Sequence, residues 1–310
     1  MVVFMFPGQG SQYIGMGKEL FETYSEVKEL FSKAEEVTGI PVKKLCFEGP
    51  MEELTRTENL QVCLTVVNIA SYLGVKKECP DLTPKFVAGH SLGEYSALFA
   101  GGVLSLEDTL KAVKERGRLM ESAGGDTPSG MYAIIGMPQE ELEELVKSAS
   151  GLVIISNYNS PKQLVISGES PAIDEVAEKA KGKKVRVVKL KVSAAFHSPL
   201  MKEAQEKFSK FLEGLSWQDS RVPFVSNVSA KAHTKGEEIK ELMKKQITSS
   251  VRWIECVEFM HQNGAKVFVE LGPKRVLSGL CSQILEGKEF ECYNIETPEG
   301  IKNLPVCKTI

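Results

Sequence analysis

The chain has 310 residues, 42% of them hydrophobic and 25% charged, an ordinary globular composition with enough apolar material for a large core. Its formal charge of -3 excludes a global attraction to nucleic acid or to an anionic membrane surface, so an acidic partner has to find a local basic patch. Seven cysteines, an odd number with no Cys-x-x-Cys spacing, argue against a disulfide framework and a zinc site, and the cytosol is the expected compartment.

Length predicts two domains, or one domain with an insertion. The opening run Met1-Val2-Val3-Phe4-Met5-Phe6-Pro7 has no basic residue ahead of it and breaks at proline, the pattern of a first strand rather than a signal peptide. No apolar stretch is long enough to cross a bilayer. The strand leads into Gly8-Gln9-Gly10-Ser11-Gln12. A dinucleotide fingerprint needs glycine where Tyr13 stands, and a phosphate loop needs a Gly-Lys-Ser/Thr that is missing. An ordinary tight turn and one half of an oxyanion hole remain, the latter using the backbone N–H groups of Gln9 and Leu92.

Helical periodicity over Leu60–Leu73 is followed by a short apolar strand, Lys85–Ala88, and by Gly89-His90-Ser91-Leu92-Gly93. Gly-x-Ser-x-Gly between a strand and a helix (Glu94–Ala100, closed by Gly101-Gly102) is the spacing of a sharp turn that exposes a serine hydroxyl. Side chains at the two glycines would crowd neighbouring backbone. A helix over Leu106–Met120 continues a strand and helix alternation that predicts a parallel sheet covered on both faces.

After a polar, glycine-rich linker, residues 123–130, the rhythm changes. Strand Met131–Gly136, helix Gln139–Ser148, strands Leu152–Asn157 and Gln163–Ser167, helix Pro171–Lys181 and strand Lys184–Val192 give the order βαββαβ of a ferredoxin-like module. Core strands Val222–Asn227 and Val267–Leu271 and helices Gly236–Gln246 and Val251–Gln262 follow. The expected division is an α/β core of residues 1–125 and 194–310, interrupted by a subdomain of residues 126–193.

A serine needs a base to attack a carbonyl at neutral pH, and the base is usually histidine. Of the four histidines, His261 ends a helix, His233 sits in a polar stretch, and His90 adjoins Ser91 on a turn whose successive side chains diverge. His197, where the chain re-enters the core after the last strand of the module, is the candidate partner of Ser91.

Six blocks then share one resemblance: Gly8-Gln9-Gly10-Ser11-Gln12, Gly89-His90-Ser91-Leu92-Gly93-Glu94, Arg116-Gly117, Asn157-Tyr158-Asn159-Ser160-Pro161, Phe196-His197-Ser198-Pro199-Leu200-Met201 and Glu270-Leu271-Gly272-Pro273. In this order the chain resembles the malonyl-CoA:acyl carrier protein transacylases over nearly its whole length. The resemblance implies an α/β-hydrolase-like core carrying a ferredoxin-like subdomain, and an acyltransferase that moves malonyl from coenzyme A through a serine ester to the phosphopantetheine thiol of a carrier protein. It implies Ser91 as nucleophile, His197 as base, Gln9 and Leu92 as oxyanion hole, and Arg116 as the partner of the malonyl carboxylate. It also implies that the main-chain carbonyl of Gln246 orients the histidine, in place of an acidic residue. Phe196 before the histidine is similar to the malonyl-selective members. No metal or bound cofactor is implied, and the family is usually monomeric.

The acidic carrier is expected to dock on the basic stretch holding Lys183, Lys184, Arg186 and Lys189, with Lys274 and Arg275 as the second choice. A serine esterase or thioesterase, an acyltransferase of a polyketide pathway and a non-catalytic acyl-binding protein are the rival readings. A cation facing the acyl group separates the transferase from a lipase-like enzyme, whose pocket is apolar.

Overall fold

A computed structural model of the chain describes residues 1–123, 128–183 and 185–307, so positions 124–127 of the expected linker and Lys184 lie outside the described residues. The strands are β1 (Val2–Phe6), β2 (Phe86–Gly89), β3 (Ser129–Ile135), β4 (Val153–Ser160), β5 (Gln163–Glu169), β6 (Arg186–Lys189), β7 (Phe224–Val225), β8 (Ala232–His233), β9 (Val267–Leu271) and β10 (Glu291–Ile295). They form a six-stranded sheet, ordered β10-β9-β1-β2-β7-β8, and a four-stranded sheet, ordered β4-β5-β3-β6.

In the larger sheet every pairing is parallel except β7 with β8 at the edge. β1 is central, and Val3 to Phe6 are completely buried, as a strand covered on both faces requires. Alternate residues feed two cores. Phe4 and Phe6 pack with Val87 and Leu271, while Val3 and Met5 pack with Ala88 and Phe268 beneath the Trp253–Gln262 and Val276–Ile284 helices. The other face is covered by the Thr57–Glu78 helix, buried nearly all round, and by the Gly93–Gly101 helix.

The expected sheet of the first half contains only two strands from that half. Five helices occupy the chain between β1 and β2, and the remaining strands arrive after residue 223. β10 was not expected from the sequence: Glu-Cys-Tyr-Asn-Ile at a sheet edge is half-exposed and lacks an apolar alternation.

The smaller sheet is wholly antiparallel and follows the expected βαββαβ order. Its last strand is shorter than expected, four residues against the run to Val192. One face packs its own helices through Ile134, Ile155, Leu164, Ile166 and Ile173. Met131, Ala133 and Val165 of the opposite face join the main core. Two register shifts in β4, between Ile155 and Asn157 and between Tyr158 and Ser160, locally re-aim that strand. Backbone bonds from Tyr158 to Val251 (2.9 Å) and from Val251 to Ser156 (2.8 Å) stitch it to the core.

Cysteine counting missed one pairing. Cys79, at the end of the Thr57–Glu78 helix, is disulfide-bonded to Cys307, 228 residues away, in the last described turn. No local spacing could announce a bond across that separation. Among the described residues no cluster of His, Cys, Asp or Glu could hold a metal ion, and no helix is long and apolar enough to cross a membrane.

Candidate active site

Ser91 follows the C-terminal end of β2, where parallel sheets leave side chains accessible. The glycines of its motif are required by close approach. A Cβ at Gly89 would lie 1.9 Å from the backbone carbon of Gly93, and one at Gly93 would lie 2.0 Å from the carbonyl oxygen of Phe6. Ser91 takes a left-handed backbone conformation with φ 51°, held by its N–H donating to Asn227 Oδ1 at 2.7 Å. Asn227 Nδ2 donates in turn to the Gly89 carbonyl at 2.8 Å.

Ser91 Oγ lies 2.7 Å from His197 Nε2 despite a sequence separation of 106. The other ring nitrogen, Nδ1, faces the carbonyl oxygens of Gln246 and Ser249, each at 3.0 Å. Carbonyls only accept, so Nδ1 carries the proton and Nε2 offers its lone pair to the serine hydroxyl. His197 is 3% exposed, and burial, followed by the nearby Arg116 charge, pushes its pKa down to about 3. The imidazole therefore stands neutral and ready to accept a proton.

Arg116 comes from the Leu106–Ser122 helix and is 1% exposed. Its Nη1 donates to Gln61 Oε1 (2.9 Å), its Nε and Nη2 donate to Gln246 Oε1 (3.2 and 2.9 Å), and Nη2 also donates to Ser91 Oγ (3.1 Å). Burial lowers its pKa while Tyr95 and Glu94 oppose the shift, but a guanidinium stays charged in proteins. The nucleophile thus sits between a fixed cation and a neutral base.

These residues open onto a cavity of about 330 Å³ between the two sheets, lined also by Gln9, Leu92 and Phe196. The backbone N–H groups of Gln9 and Leu92 have no acceptor among the described residues. His90 bonds Asn159 through Nε2 at 2.7 Å and meets Trp253 edge-on, so it braces the elbow.

All the sequence-derived candidates, Ser91, His197, Arg116, Gln246, Gln9, Leu92 and Phe196, converge here. Sequence reasoning missed Gln61, Asn227 and the Ser249 carbonyl. Gln61 had a signal, a polar residue inside the apolar run Leu60-Gln61-Val62-Cys63-Leu64; Asn227 had none.

The basic stretch is compensated only over its first three lysines. Lys179, Lys181 and Lys183 pair with Glu175, Glu178 and Glu141. Among the described residues Arg186, Lys189, Lys191, Lys274 and Arg275 have no carboxylate partner in ion-pair range. Lys189 and Lys191 flank Leu190 in sequence, and Leu190 and Val192 line the cavity.

Residues 3–297 match the acyl transferase domain family. The chain is 42% identical over 306 residues to a malonyl CoA-acyl carrier protein transacylase of Bacillus subtilis, covering 97% of this chain and 95% of the relative. It superposes on the malonyl CoA-acyl carrier protein transacylase structure from Coxiella burnetii with a TM-score of 0.94 and 33% identity, covering 99% of this chain and 96% of that one. A solved complex of a type II polyketide-synthase acyl-carrier protein with its malonyl-transacylase matches with a TM-score of 0.92 and 34% identity, covering 97% of each chain. The chain belongs to the acyl transferase family and, within it, to the malonyl-CoA:acyl carrier protein transacylases.

Proposed function

We propose that the protein transfers malonyl from malonyl-CoA to the phosphopantetheine thiol of an acyl carrier protein, by a ping-pong route through a malonyl ester on Ser91, and so supplies fatty-acid synthesis. The observation that carries this reading is Arg116 Nη2 donating to the same Oγ that faces His197 Nε2. A buried guanidinium at the acyl position suits a half-ester whose far end is a carboxylate, which it grips bidentately. It would disfavour a lipase-like apolar acyl chain.

His197 Nε2 takes the hydroxyl proton as Ser91 Oγ bonds to the thioester carbonyl carbon. The negative charge gathers on the carbonyl oxygen, where the N–H groups of Gln9 and Leu92 would receive it. The C–S bond then breaks, and the proton on Nε2 passes to the coenzyme A sulfur. In the second half the carrier's thiol gives its proton to Nε2, attacks the ester carbon and releases Ser91 Oγ, which recovers the proton. The Gln246 carbonyl steadies Nδ1–H throughout without an anionic partner. The malonyl carboxylate would offset the Arg116 charge, so His197 gains basicity as substrate arrives. Phe196 contributes to acyl choice from the cavity wall.

The architecture is read as an α/β-hydrolase-like core, residues 1–125 and 194–310, carrying a ferredoxin-like subdomain, residues 126–193; the strand order β4-β5-β3-β6 supports the second name. The carrier docks at the cavity rim on Arg186, Lys189 and Lys191, with Lys183 at its margin. The protein acts as a cytoplasmic monomer without a bound cofactor. Intact-mass measurement after incubation with malonyl-CoA tests the reaction. A malonyl adduct absent from Ser91→Ala is expected, and an adduct on neither protein overturns it.

A further inference from the structure

Glu94 is a fully buried carboxyl that the reaction described above leaves unused. It stands three residues after Ser91 in the first turn of the Gly93–Gly101 helix and does not line the cavity. Its Oε2 accepts from Gln246 Nε2 at 2.6 Å, and its Oε1 accepts from the backbone N–H of Asn227 at 2.7 Å.

Gln246 Nε2 also donates to the Ser91 carbonyl at 2.8 Å, while its Oε1 receives Arg116 Nε and Nη2. The amide has one workable orientation. Turned over, it would set NH2 against the guanidinium and oxygen against both a carboxylate and a carbonyl. On the other side, Asn227 carries the same support to the elbow through its bonds to Ser91 N–H and the Gly89 carbonyl. Gln246 and Asn227 are each 1% exposed, so no water competes for these bonds.

We infer that Glu94 is a positioning residue for acyl selection: by fixing the Gln246 amide, it aims Arg116 at the acyl group on Ser91. A carboxylate buried for helix capping alone would have no reason to reach across to residue 246. Its two acceptor oxygens match two donors from distant chain segments, which glutamine at this position could not do. This inference rests on the roles of Ser91 and Arg116 proposed above.

The test is Glu94→Gln, assayed for Ser91 acylation by malonyl-CoA and by acetyl-CoA in parallel, with melting curves alongside. Glutamine offers one acceptor and one donor where two acceptors are needed, so either the Gln246 amide or the Asn227 N–H loses its partner and the side chain its fixed position. The expected result is a rise of about tenfold in KM for malonyl-CoA, a smaller change in kcat and a fall of similar size in the malonyl-to-acetyl preference. In an Arg116→Ala background the same substitution should leave the malonyl KM within twofold. Equal losses for both acyl groups, or an undiminished effect without Arg116, would overturn the inference. Should Glu94→Gln fail to fold, Gln246→Met keeps the backbone carbonyl on His197 and removes the amide; retained malonyl preference there would overturn it as well. A malonyl adduct persisting on Ser91→Ala would remove the site reading itself, whereas acylation confined to Ser91 with equal losses in Glu94→Gln would remove only the role of Glu94.

Discussion

Arg116 Nη2 lies 3.1 Å from Ser91 Oγ, close enough to donate a hydrogen bond to the nucleophile itself. Arg116→Ala should therefore do two things. Malonyl transfer should fall by one to two orders of magnitude, since a charge-assisted contact contributes about 1.5–3 kcal/mol. Acetyl transfer should gain relative to malonyl, because the site no longer holds an unpaired cation against a neutral acyl group. Parallel kcat/KM measurements with the two thioesters check this, and unchanged malonyl kinetics would refute the role of the arginine.

The pH dependence follows from the depressed imidazole. His197 is held down to about 3, first by burial and next by Arg116. A base with a lowered pKa loses function only when pH falls through that low value, so the acid limb of kcat/KM, which reports free enzyme, should lie well below the ordinary histidine value of about 6.5. Once a malonyl carboxylate pairs with Arg116, one depressing cause is cancelled. The acid limb of kcat, which reports the complex, should move up by roughly one pH unit. Stopped-flow acylation rates across the acid range provide both limbs; coincident limbs would mean that substrate does not relieve the arginine.

The strand, sharp turn and helix around Ser91 were legible because they rest on local sequence: an apolar run, two glycines without room for a Cβ, and a helix behind them. The βαββαβ order was legible for the same reason. Gln61 and Asn227 act over separations of 55 and 136 residues, and only the tertiary fold makes them neighbours of Arg116 and Ser91. β10 escaped because an edge strand with one solvated side need not be apolar. The union of Cys79 with Cys307 is a property of where the last turn packs, which counting thiols does not reveal.

Lys183 already has Glu141 as a partner, whereas Arg186 and Lys189 have no carboxylate in reach among the described residues. Reversing Arg186 and Lys189 to glutamate should raise KM for the carrier protein by about tenfold, leave KM for malonyl-CoA within twofold, and weaken the salt dependence of transfer. Lys183→Glu should do less, since it removes a pair that is internally balanced. Steady-state kinetics with each substrate varied separately check the split; equal changes in both constants would place docking elsewhere.

Ser91 and His197 are two of the four non-glycine residues with positive φ among the described residues. A left-handed backbone costs an ordinary side chain on the order of 1 kcal/mol or more. Selection for heat tolerance alone would push toward glycine at position 91, giving a hardier molecule with no hydroxyl to acylate. The resting fold is thus held short of its own optimum at the very atom where the chemistry begins, and durability and turnover compete for that single position.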